Sequence, residues 1–217
     1  MGLVSVLIFM LVLTANMGVK TAVMSRMRMP ITCVSTEEKK VALTFELTGN
    51  SEDDRLTELP ESVRATFFAD EEFLLYHTEK VIQLSDAGNE IGLLENSFNG
   101  KTKNEINSLL ADRIEELSEA FGIRCDTVRF ADGRYDSESV GAVLDLGLFP
   151  VQWSADGTEK KIRQGDIIRV GNDTDVESLI KKLKNDGYEI VPVGELILKE
   201  NYKIDLSGMQ FKKYPLK

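Results

Sequence analysis

The fold is decided by the stretch Lys39-Lys40-Val41-Ala42-Leu43-Thr44-Phe45-Glu46-Leu47. Its centre is a short apolar run with β-branched and aromatic residues, which is typical of a strand buried on both faces. The chain continues into Thr48-Gly49-Asn50, so the strand is followed by neither a G-x-G-x-x-G pattern nor a Walker loop. The stretch therefore predicts a buried first strand without a phosphate-binding loop.

Six further apolar runs follow this strand and alternate with helical patterns. They span residues 65–68, 90–94, 127–130, 149–153, 166–170 and 189–192. Strands that alternate with helices of this length imply parallel βα units. Such strands form either a closed barrel or an open doubly wound sheet, and the missing phosphate loop favours the barrel. We therefore predict an α/β fold, a distorted barrel of about seven parallel strands, with any chemistry at the carboxyl ends of the strands.

The helical patterns carry start signals. Three helices have predicted N-terminal caps, at Thr102, Asp136 and Thr174. The first and third caps are followed three positions later by a glutamate, which is the spacing of a capping box. An earlier helical pattern is stopped by Gly88, and its apolar positions are Phe73, Leu74, Val81, Ile82 and Leu84. A last helical turn is predicted over residues 194–197.

The composition is typical of a single soluble domain with an acidic surface. At 217 residues the chain can bury one core, and its formal net charge is -10. Nucleic acid is excluded as a partner because phosphate binding needs clustered lysine and arginine side chains. Part of the acidity lies in residues 52–54 with Glu58 and Glu61, which we interpret as a solvated loop and helix face.

The first residues of the chain differ from the rest. Residues 1–19 carry no charged side chain, and a helix of that length rises roughly 28 Å, about the thickness of a bilayer core. A buried first helix of the domain is disfavoured because the run is apolar on all sides. We predict an N-terminal apolar helix that is a signal anchor or a signal peptide. Residues 20–38 then form a stalk, and residues 39–217 form an extracytoplasmic domain, membrane-anchored or, after cleavage, secreted.

Cysteine and histidine are scarce. Cys33 and Cys125 lie in no C-x-x-C pair, so they indicate neither a zinc site nor redox chemistry. The choice between a disulfide and two free thiols stays open at this point. The single histidine, His77, lies in an amphipathic stretch and is interpreted as a surface or helix-packing residue.

Seven segments, taken in order, carry a resemblance to a known family. They are residues 39–45, 64–68, 76–92, 129–135, 153–156, 165–168 and 183–189. Together they resemble the polysaccharide deacetylases of carbohydrate esterase family four, which contain the nodulation-deacetylase homology domain. The resemblance extends from Lys40 to about Ile197. It implies a deacetylase-like barrel and metal-assisted N-deacetylation of acylated sugars, with peptidoglycan or another N-acetylated glycan as the partner.

The metal ligands that the resemblance implies are missing. Members of the family have two adjacent aspartates in the first motif, a general base and a metal ligand, and two histidines in a later motif. Glu46 stands at the base position, while Leu47, Leu94 and Phe98 stand at the three ligand positions. Because hydrocarbon side chains cannot coordinate a divalent cation, the zinc expected of the family has no ligands and we predict no metal or other cofactor.

The remaining catalytic positions are partly kept. Arg129 matches the arginine of the family's arginine-proline-tyrosine-glycine loop, and Asp156 matches the aspartate after the tryptophan strand. The general-acid histidine has its counterpart at Gly171, so the acid is also absent. Glu46, Arg129 and Asp156 are therefore the candidate catalytic residues, as vestigial positions.

Three functions follow from these positions. The first is a pseudoenzyme related to cell-wall carbohydrate metabolism that binds a glycan or a partner without metal-dependent activity. The second is an active hydrolase on amide bonds of N-acetylated polysaccharide, in which Glu46, Asp156 and Arg129, with Asp132 or Asp136, form a variant site. The third is a membrane-anchored structural or interaction domain whose former metal pocket is closed by apolar side chains.

Overall fold

The structure is a computed structural model that describes residues 28–49, 59–96, 98, 100–159 and 161–213. Its strands are β1 (Cys33–Val34), β2 (Lys40–Leu47), β3 (Thr66–Ala69), β4 (Glu90–Glu95), β5 (Thr127–Phe130), β6 (Phe149–Pro150), β7 (Ala155–Asp156), β8 (Ile167–Arg169), β9 (Glu189–Ile190), β10 (Tyr202–Ile204) and β11 (Met209–Lys212). Its helices are α1 (Glu71–Tyr76), α2 (Thr78–Asp86), α3 (Lys103–Phe121), α4 (Ser137–Asp145), α5 (Val176–Asn185) and α6 (Val193–Leu196).

Seven strands form one curled parallel sheet. Their order is β6-β5-β4-β3-β2-β8-β7, and every neighbouring pair is parallel. β9 adds a short parallel pairing at the start of β2. The predicted α/β fold with parallel strands is confirmed. Its short seventh strand in the path, β7, was not among the predicted strands, and the predicted strand at 189–192 is the off-path β9.

The sheet is a half-barrel. Within the described ranges its end strands, β6 and β7, do not pair with each other. The chain segment before β2 instead forms backbone hydrogen bonds with β6 on one side and with Gly165, two positions before β8, on the other. The Ile31 N–H donates to Pro150 O (2.8 Å), and the Gln152 N–H donates to Ile31 O (2.7 Å). The Val34 N–H donates to Gly165 O (2.9 Å). Backbone hydrogen bonds through this segment therefore take the place of direct pairing between the end strands.

A second, three-stranded sheet packs beside the first. β1 pairs parallel with β11, which pairs antiparallel with β10. Residues 28–38 of the predicted stalk thus lie against the domain, and Ile31 is fully buried. Residues 1–27, with the predicted apolar helix, and residues 50–58 lie outside the described part of the chain. In the described part, no helix is long and apolar enough to cross a membrane.

The predicted helix over residues 73–84 is wrong in one respect. It is two helices, α1 and α2, which meet at His77 with φ -122° and ψ 37°. The Asp70 carboxylate accepts a hydrogen bond from the Phe73 N–H (2.7 Å) and so begins α1 before the predicted start. The break leaves Leu75 and Tyr76 exposed at the end of α1.

Of the three predicted N-terminal caps of the later helices, two are confirmed. Thr102 forms the predicted capping box with Glu105, and Asp136 caps α4, so both predictions are confirmed. The predicted cap at Thr174 is wrong. Asp175 caps α5 instead, and its carboxylate accepts from the Ser178 N–H (2.9 Å). A carboxylate one position later is the stronger, charge-assisted acceptor.

A partly buried carboxylate, that of Glu90, connects α6 to the amino ends of the strands. Glu90, at the start of β4, accepts hydrogen bonds from the hydroxyls of Thr66 (2.7 Å) and Thr127 (3.0 Å). It also accepts from the Gly194 N–H in α6 (2.8 Å). The Thr66 hydroxyl oxygen in turn accepts from the Val193 N–H (2.8 Å). This network positions the last helix across the end of the sheet opposite the strand ends where chemistry is expected.

Glu90→Ala is expected to destabilise the domain strongly. It removes the acceptor of three hydrogen bonds and leaves their donors without a partner, at a cost of about 2–3 kcal/mol in the free energy of unfolding. The measurement is urea unfolding at neutral pH. Glu189→Ala is the control, because the carboxylate of Glu189 is exposed and its ion pair in the described residues is with Lys40, at 3.8 Å. An equal loss in both variants would contradict the assigned network.

Candidate functional site

The three predicted catalytic remnants lie at the carboxyl ends of the strands. Glu46 is near the end of β2, Arg129 is in β5 and Asp156 ends β7. Glu46 Oε1 lies 3.5 Å from Arg129 Nη1. Asp156 instead binds Arg169 of β8, with Oδ1 2.9 Å from Nε and 2.9 Å from Nη2. The structure therefore arranges the three residues in two ion pairs, not in a single triad.

Trp153 joins these two ion pairs. The guanidinium carbon of Arg169 lies 4.3 Å from the centroid of its ring, and that of Arg129 lies 5.4 Å from it. Both arginines thus gain cation–π contact with one indole. Because Trp153 is only partly buried, its ring lies at the surface between the two ion pairs. We call this surface at the carboxyl ends of the strands, formed by Trp153 with Glu46, Asp156 and Arg169, the mouth.

Arg129 is fully buried, which is uncommon for a charged side chain. The Phe68 ring lies 4.2 Å from its guanidinium carbon, and its Nη2 donates to Gln152 O (3.3 Å). Its Nε and the Gln152 Oε1 have no hydrogen-bond partner among the described residues. Burial lowers the pKa of Arg129 to about 10, although Glu46 opposes this shift. The side chain therefore stays charged at neutral pH, and Glu46 is the carboxylate that compensates it.

The three positions that the family resemblance predicts to have lost a metal ligand are packed apolar sites. Leu47, Leu94 and Phe98 are each at least 93% buried, with exposures of 1%, 3% and 7%. They lie in three separate apolar clusters, and Phe98 packs edge-on against Phe130 at a ring distance of 6.3 Å. Packed hydrocarbon side chains therefore fill all three positions, and two of them, Leu94 and Phe98, also line one cleft.

Gly171, the predicted counterpart of the general-acid histidine, has limited space around it for a side chain. A Cβ atom on Gly171 would lie 2.9 Å from Asp173 Oδ1, which is the far end of a flexible side chain. The next atom is Thr174 Oγ1 at 4.0 Å, and this buried hydroxyl has no hydrogen-bond partner in the described part of the chain. A side chain at position 171 therefore fits once Asp173 changes its rotamer.

The residues present do not fit the zinc that the family implies. Across the described residues, no group of three or more His, Cys, Asp or Glu side chains could hold a metal ion. Leu47, Leu94 and Phe98 supply no donor atom, and the nearby carboxylates of Glu46 and Asp156 are paired with arginines. No reaction step through a metal can be derived from this arrangement.

A polar cleft of about 270 Å³ opens beside Leu94 and Phe98. Its charged lining residues are Asp70, Glu71, Glu72, Glu95, Lys101 and Arg113. Arg113 of α3 binds Glu95 (2.5 Å) and Glu71 (2.7 Å). Glu95 ends β4 and is buried, and this burial raises the pKa of its carboxyl, against the effect of Arg113. The cleft therefore has more carboxylates than cationic side chains, four against two, and it lies next to Leu94 and Phe98.

The raised pKa of Glu95 predicts a pH effect on stability. Between its unfolded value of 4.5 and its higher folded value, the folded state binds more protons, so its contribution to stability falls as the pH rises. Glu95→Gln removes this dependence. The stability of the variant relative to the wild type should therefore increase from about pH 4 to about pH 7. Urea unfolding across this range measures the difference, with Glu189→Gln, an exposed change outside the cleft, as the control. The prediction is contradicted if the difference in unfolding free energy between Glu95→Gln and the wild type stays constant with pH, or if the variant loses stability relative to the wild type as the pH rises.

The other residues singled out in the sequence have separate surroundings, and Asp132 precedes Gly133, where an added Cβ would lie 3.5 Å from the Trp153 ring. Asp136 accepts from the Ser139 N–H as the cap of α4, and Asp132 is exposed with φ 55°. His77 packs on the Phe73 ring at 4.5 Å, as a helix-packing histidine would.

The two cysteines are free thiols, so the open question of a disulfide is answered in favour of two unpaired residues. Burial raises the pKa of the Cys125 thiol to about 12, which leaves it protonated and unreactive at neutral pH. Cys33 is half-buried, and burial also raises its pKa.

Sequence reasoning missed Arg169 and the pair Glu95–Arg113. A signal for Arg169 existed, because a charged residue interrupts the apolar strand 166–170 at its carboxyl end. Arg113 gave no comparable signal, since an arginine on an amphipathic helix is normally solvated.

Comparison with known proteins assigns the family. The sequence profile described as polysaccharide deacetylase matches residues 34–151 of this chain. This range is more than half of the chain, and the chain therefore belongs to the polysaccharide deacetylase family. A comparison with curated protein sequences found no match.

Solved structures of the same esterase family have a similar fold. BA3943, a CE4 family pseudoenzyme from Bacillus anthracis, is 22% identical with a TM-score of 0.68, over 84% of this chain and 72% of that chain. A BA3943 mutant with restored enzymatic activity is 22% identical with a TM-score of 0.68, over 78% and 71% of the two chains. The Bc1960 peptidoglycan N-acetylglucosamine deacetylase is 18% identical with a TM-score of 0.64, over 77% and 92%. At these identities the likeness establishes the fold.

Proposed function

We propose that this chain is a polysaccharide deacetylase-like protein that binds an N-acetylated glycan and lacks metal-dependent deacetylase activity. The observation that carries the proposal is the apolar packing at all three former ligand positions. Leu47, Leu94 and Phe98 are buried among hydrocarbon neighbours, so no rotamer change brings a donor atom to a cation there.

The proton-transfer groups support the same proposal. The counterpart of the general acid is Gly171, which has no side chain. Asp156, the residue that would orient such an acid, binds Arg169 instead. An arginine keeps its proton at neutral pH, so it cannot replace a histidine as general acid. The mouth therefore retains charge and shape without an evident proton donor.

Glycan binding is supported by the composition of the mouth. Trp153 offers a partly exposed ring for contact with a sugar face, and Glu46, Asp156 and Arg169 offer polar groups for its hydroxyls. We infer peptidoglycan as the glycan class, because the similar Bc1960 structure is that of a peptidoglycan N-acetylglucosamine deacetylase. An extracytoplasmic, membrane-anchored location is part of the proposal and is supported by the uncharged residues 1–19.

The fluorescence of Trp153 tests the binding part of the proposal, since it is the only tryptophan in the chain. Titration of the full chain with N-acetylated oligosaccharides should give a saturable change, with no release of acetate. Calorimetry on Trp153→Phe should show weakened binding, while Tyr76→Phe, an exposed aromatic change on α1, should bind like the wild type. Absence of binding would contradict the glycan part, and acetate release sensitive to a chelator would contradict the pseudoenzyme part.

A metal-free hydrolase is the second candidate. The observation that favours it is the side chain of Glu46, a carboxylate that is 23% exposed at the mouth and therefore accessible to a substrate. In that case Glu46 would act as the base beside Arg129. If acetate is released in the presence of a chelator, Glu46→Gln should abolish it. Release that is unchanged in Glu46→Gln would exclude this candidate.

A further inference from the structure

The outer face of the three-stranded sheet combines lysines with apolar side chains. Residues paired across neighbouring strands share a face, and Lys203 of β10 is paired with Phe211 of β11. Met209 and Lys213 lie two positions before and after Phe211 and follow the same alternation. Gln210 points to the opposite, inner face, where it is fully buried and binds both the N–H and the carbonyl of Leu198 (2.7 Å each).

This outer face contains a cleft of about 420 Å³. We define the basic face as the residues that line it, namely Ser35, Lys203, Met209, Phe211, Lys212 and Lys213. Met209 is 38% exposed, and Leu206 in the adjacent turn is 48% exposed. Apolar side chains are thus accessible between the lysines.

The lysines of the basic face have no ion-pair partner within the part of the chain that the structure describes. Lys40, Lys103 and Lys199 each have a carboxylate partner elsewhere in the molecule. Among the described residues, no carboxylate forms an ion pair with Lys203, Lys212 or Lys213. The nearest carboxylate by sequence, Asp205, is occupied by the turn between β10 and β11: it accepts from the Ser207 N–H (2.8 Å) and the Met209 N–H (3.1 Å). Three ammonium groups without an ion-pair partner among the described residues therefore border this cleft, on a chain whose net charge is -10, and two of them, Lys203 and Lys213, belong to the outer face.

We propose that the basic face docks on the anionic phosphate headgroups of a membrane. Lysines interspersed with apolar side chains are the combination that holds peripheral proteins at an anionic lipid surface. The acidic remainder of the chain is repelled by the same surface, so contact through the basic face also orients the domain.

The course of the chain is consistent with this orientation. β1 belongs to the same sheet, and residues 20–32 separate it from the apolar residues 1–19. Thirteen residues extend to about 45 Å at most, so a membrane-inserted start would keep the sheet within reach of the bilayer surface. The proposal rests on the membrane location in the proposed function but not on the glycan or on the absence of activity.

Amine footprinting of the full chain tests the docking. Vesicles of phosphatidylcholine are compared with vesicles that also contain phosphatidylglycerol, and the labelling of each lysine is quantified by mass spectrometry. Lys203, Lys212 and Lys213 should be labelled several-fold more slowly on the anionic vesicles, and high salt should reverse the effect. Lys181 and Lys184 on α5 are the internal controls and should not change.

In the double variant Lys203→Glu, Lys213→Glu, the remaining Lys212 should be labelled equally fast on both kinds of vesicle. In the control Lys181→Glu, Lys184→Glu, all three lysines of the basic face should still be labelled more slowly on the anionic vesicles. Equal labelling on both kinds of vesicle contradicts the proposal. So does equal protection by soluble polyphosphate, or protection that appears without vesicles at high protein concentration, which indicates a second copy of the chain. Sedimentation with phosphatidylcholine vesicles separately reports the N-terminal segment. If the full chain does not sediment with these vesicles, the predicted membrane anchor is wrong. The labelling of the lysines on anionic vesicles then still tests the docking of the basic face.

Discussion

Leu47→Asp, Leu94→His and Phe98→His together are expected to create a zinc site on the existing frame. The three positions lie at or beyond the carboxyl ends of β2 and β4, and their side chains are already held in place by packing. Without metal, three buried polar groups in apolar surroundings should lower the free energy of unfolding by about 3–5 kcal/mol. Zinc should reverse much of this loss, because metal binding adds to folding free energy.

The measurement is zinc content together with thermal unfolding in the presence and absence of a chelator. The triple variant should bind one zinc per chain and lose stability when the chelator is added. Leu47→Ala, Leu94→Ala and Phe98→Ala form the matched control, which loses packing but has no donors. Adding Glu46→Asp and Gly171→His should then bring acetate release from N-acetylated oligosaccharides. A triple variant that stays folded and binds no zinc would contradict the assignment of these positions.

Glu46→Leu is expected to be the most damaging single change in the mouth. It leaves the fully buried Arg129 without its carboxylate, and an uncompensated buried charge costs about 3–5 kcal/mol in the free energy of unfolding. Glu46→Leu combined with Arg129→Met should recover most of that loss, because it removes the charge as well. Urea unfolding of the four proteins of this double-mutant cycle gives the coupling energy.

The exposed pair Arg64–Glu195 provides the control for this cycle. Glu195→Leu should cost less than about 1 kcal/mol, since surface ion pairs contribute little. If Glu46→Leu costs no more than Glu195→Leu, then Glu46 does not compensate Arg129, and the mouth is not held together by this pair.

The strands that could be predicted are those with long apolar runs. β2 and β4 have six or more residues and are buried along nearly their whole length, so their composition alone indicates them. β7 and β10 have two and three residues, and their pairing depends on neighbours distant in the chain. The bridge from Ile31 to β6 is of the same kind, which explains why residues 28–38 read as a stalk.

The family resemblance predicted which residues belong to the candidate site, but it did not predict which residues they contact. Asp156 binds Arg169 because the parallel register of β7 and β8 places these two residues side by side. Register is a property of the assembled sheet and cannot be read from either strand. The same reasoning applies to Glu95, whose partner Arg113 comes from a helix eighteen positions later.

The central claim is that the chain retains the deacetylase frame without its metal chemistry. The most direct test is the zinc content of the purified full chain after incubation with excess zinc, measured together with acetate release from N-acetylated oligosaccharides. We predict no stoichiometric zinc and no release that depends on metal. One zinc bound per chain, together with turnover that a chelator abolishes, would contradict the claim.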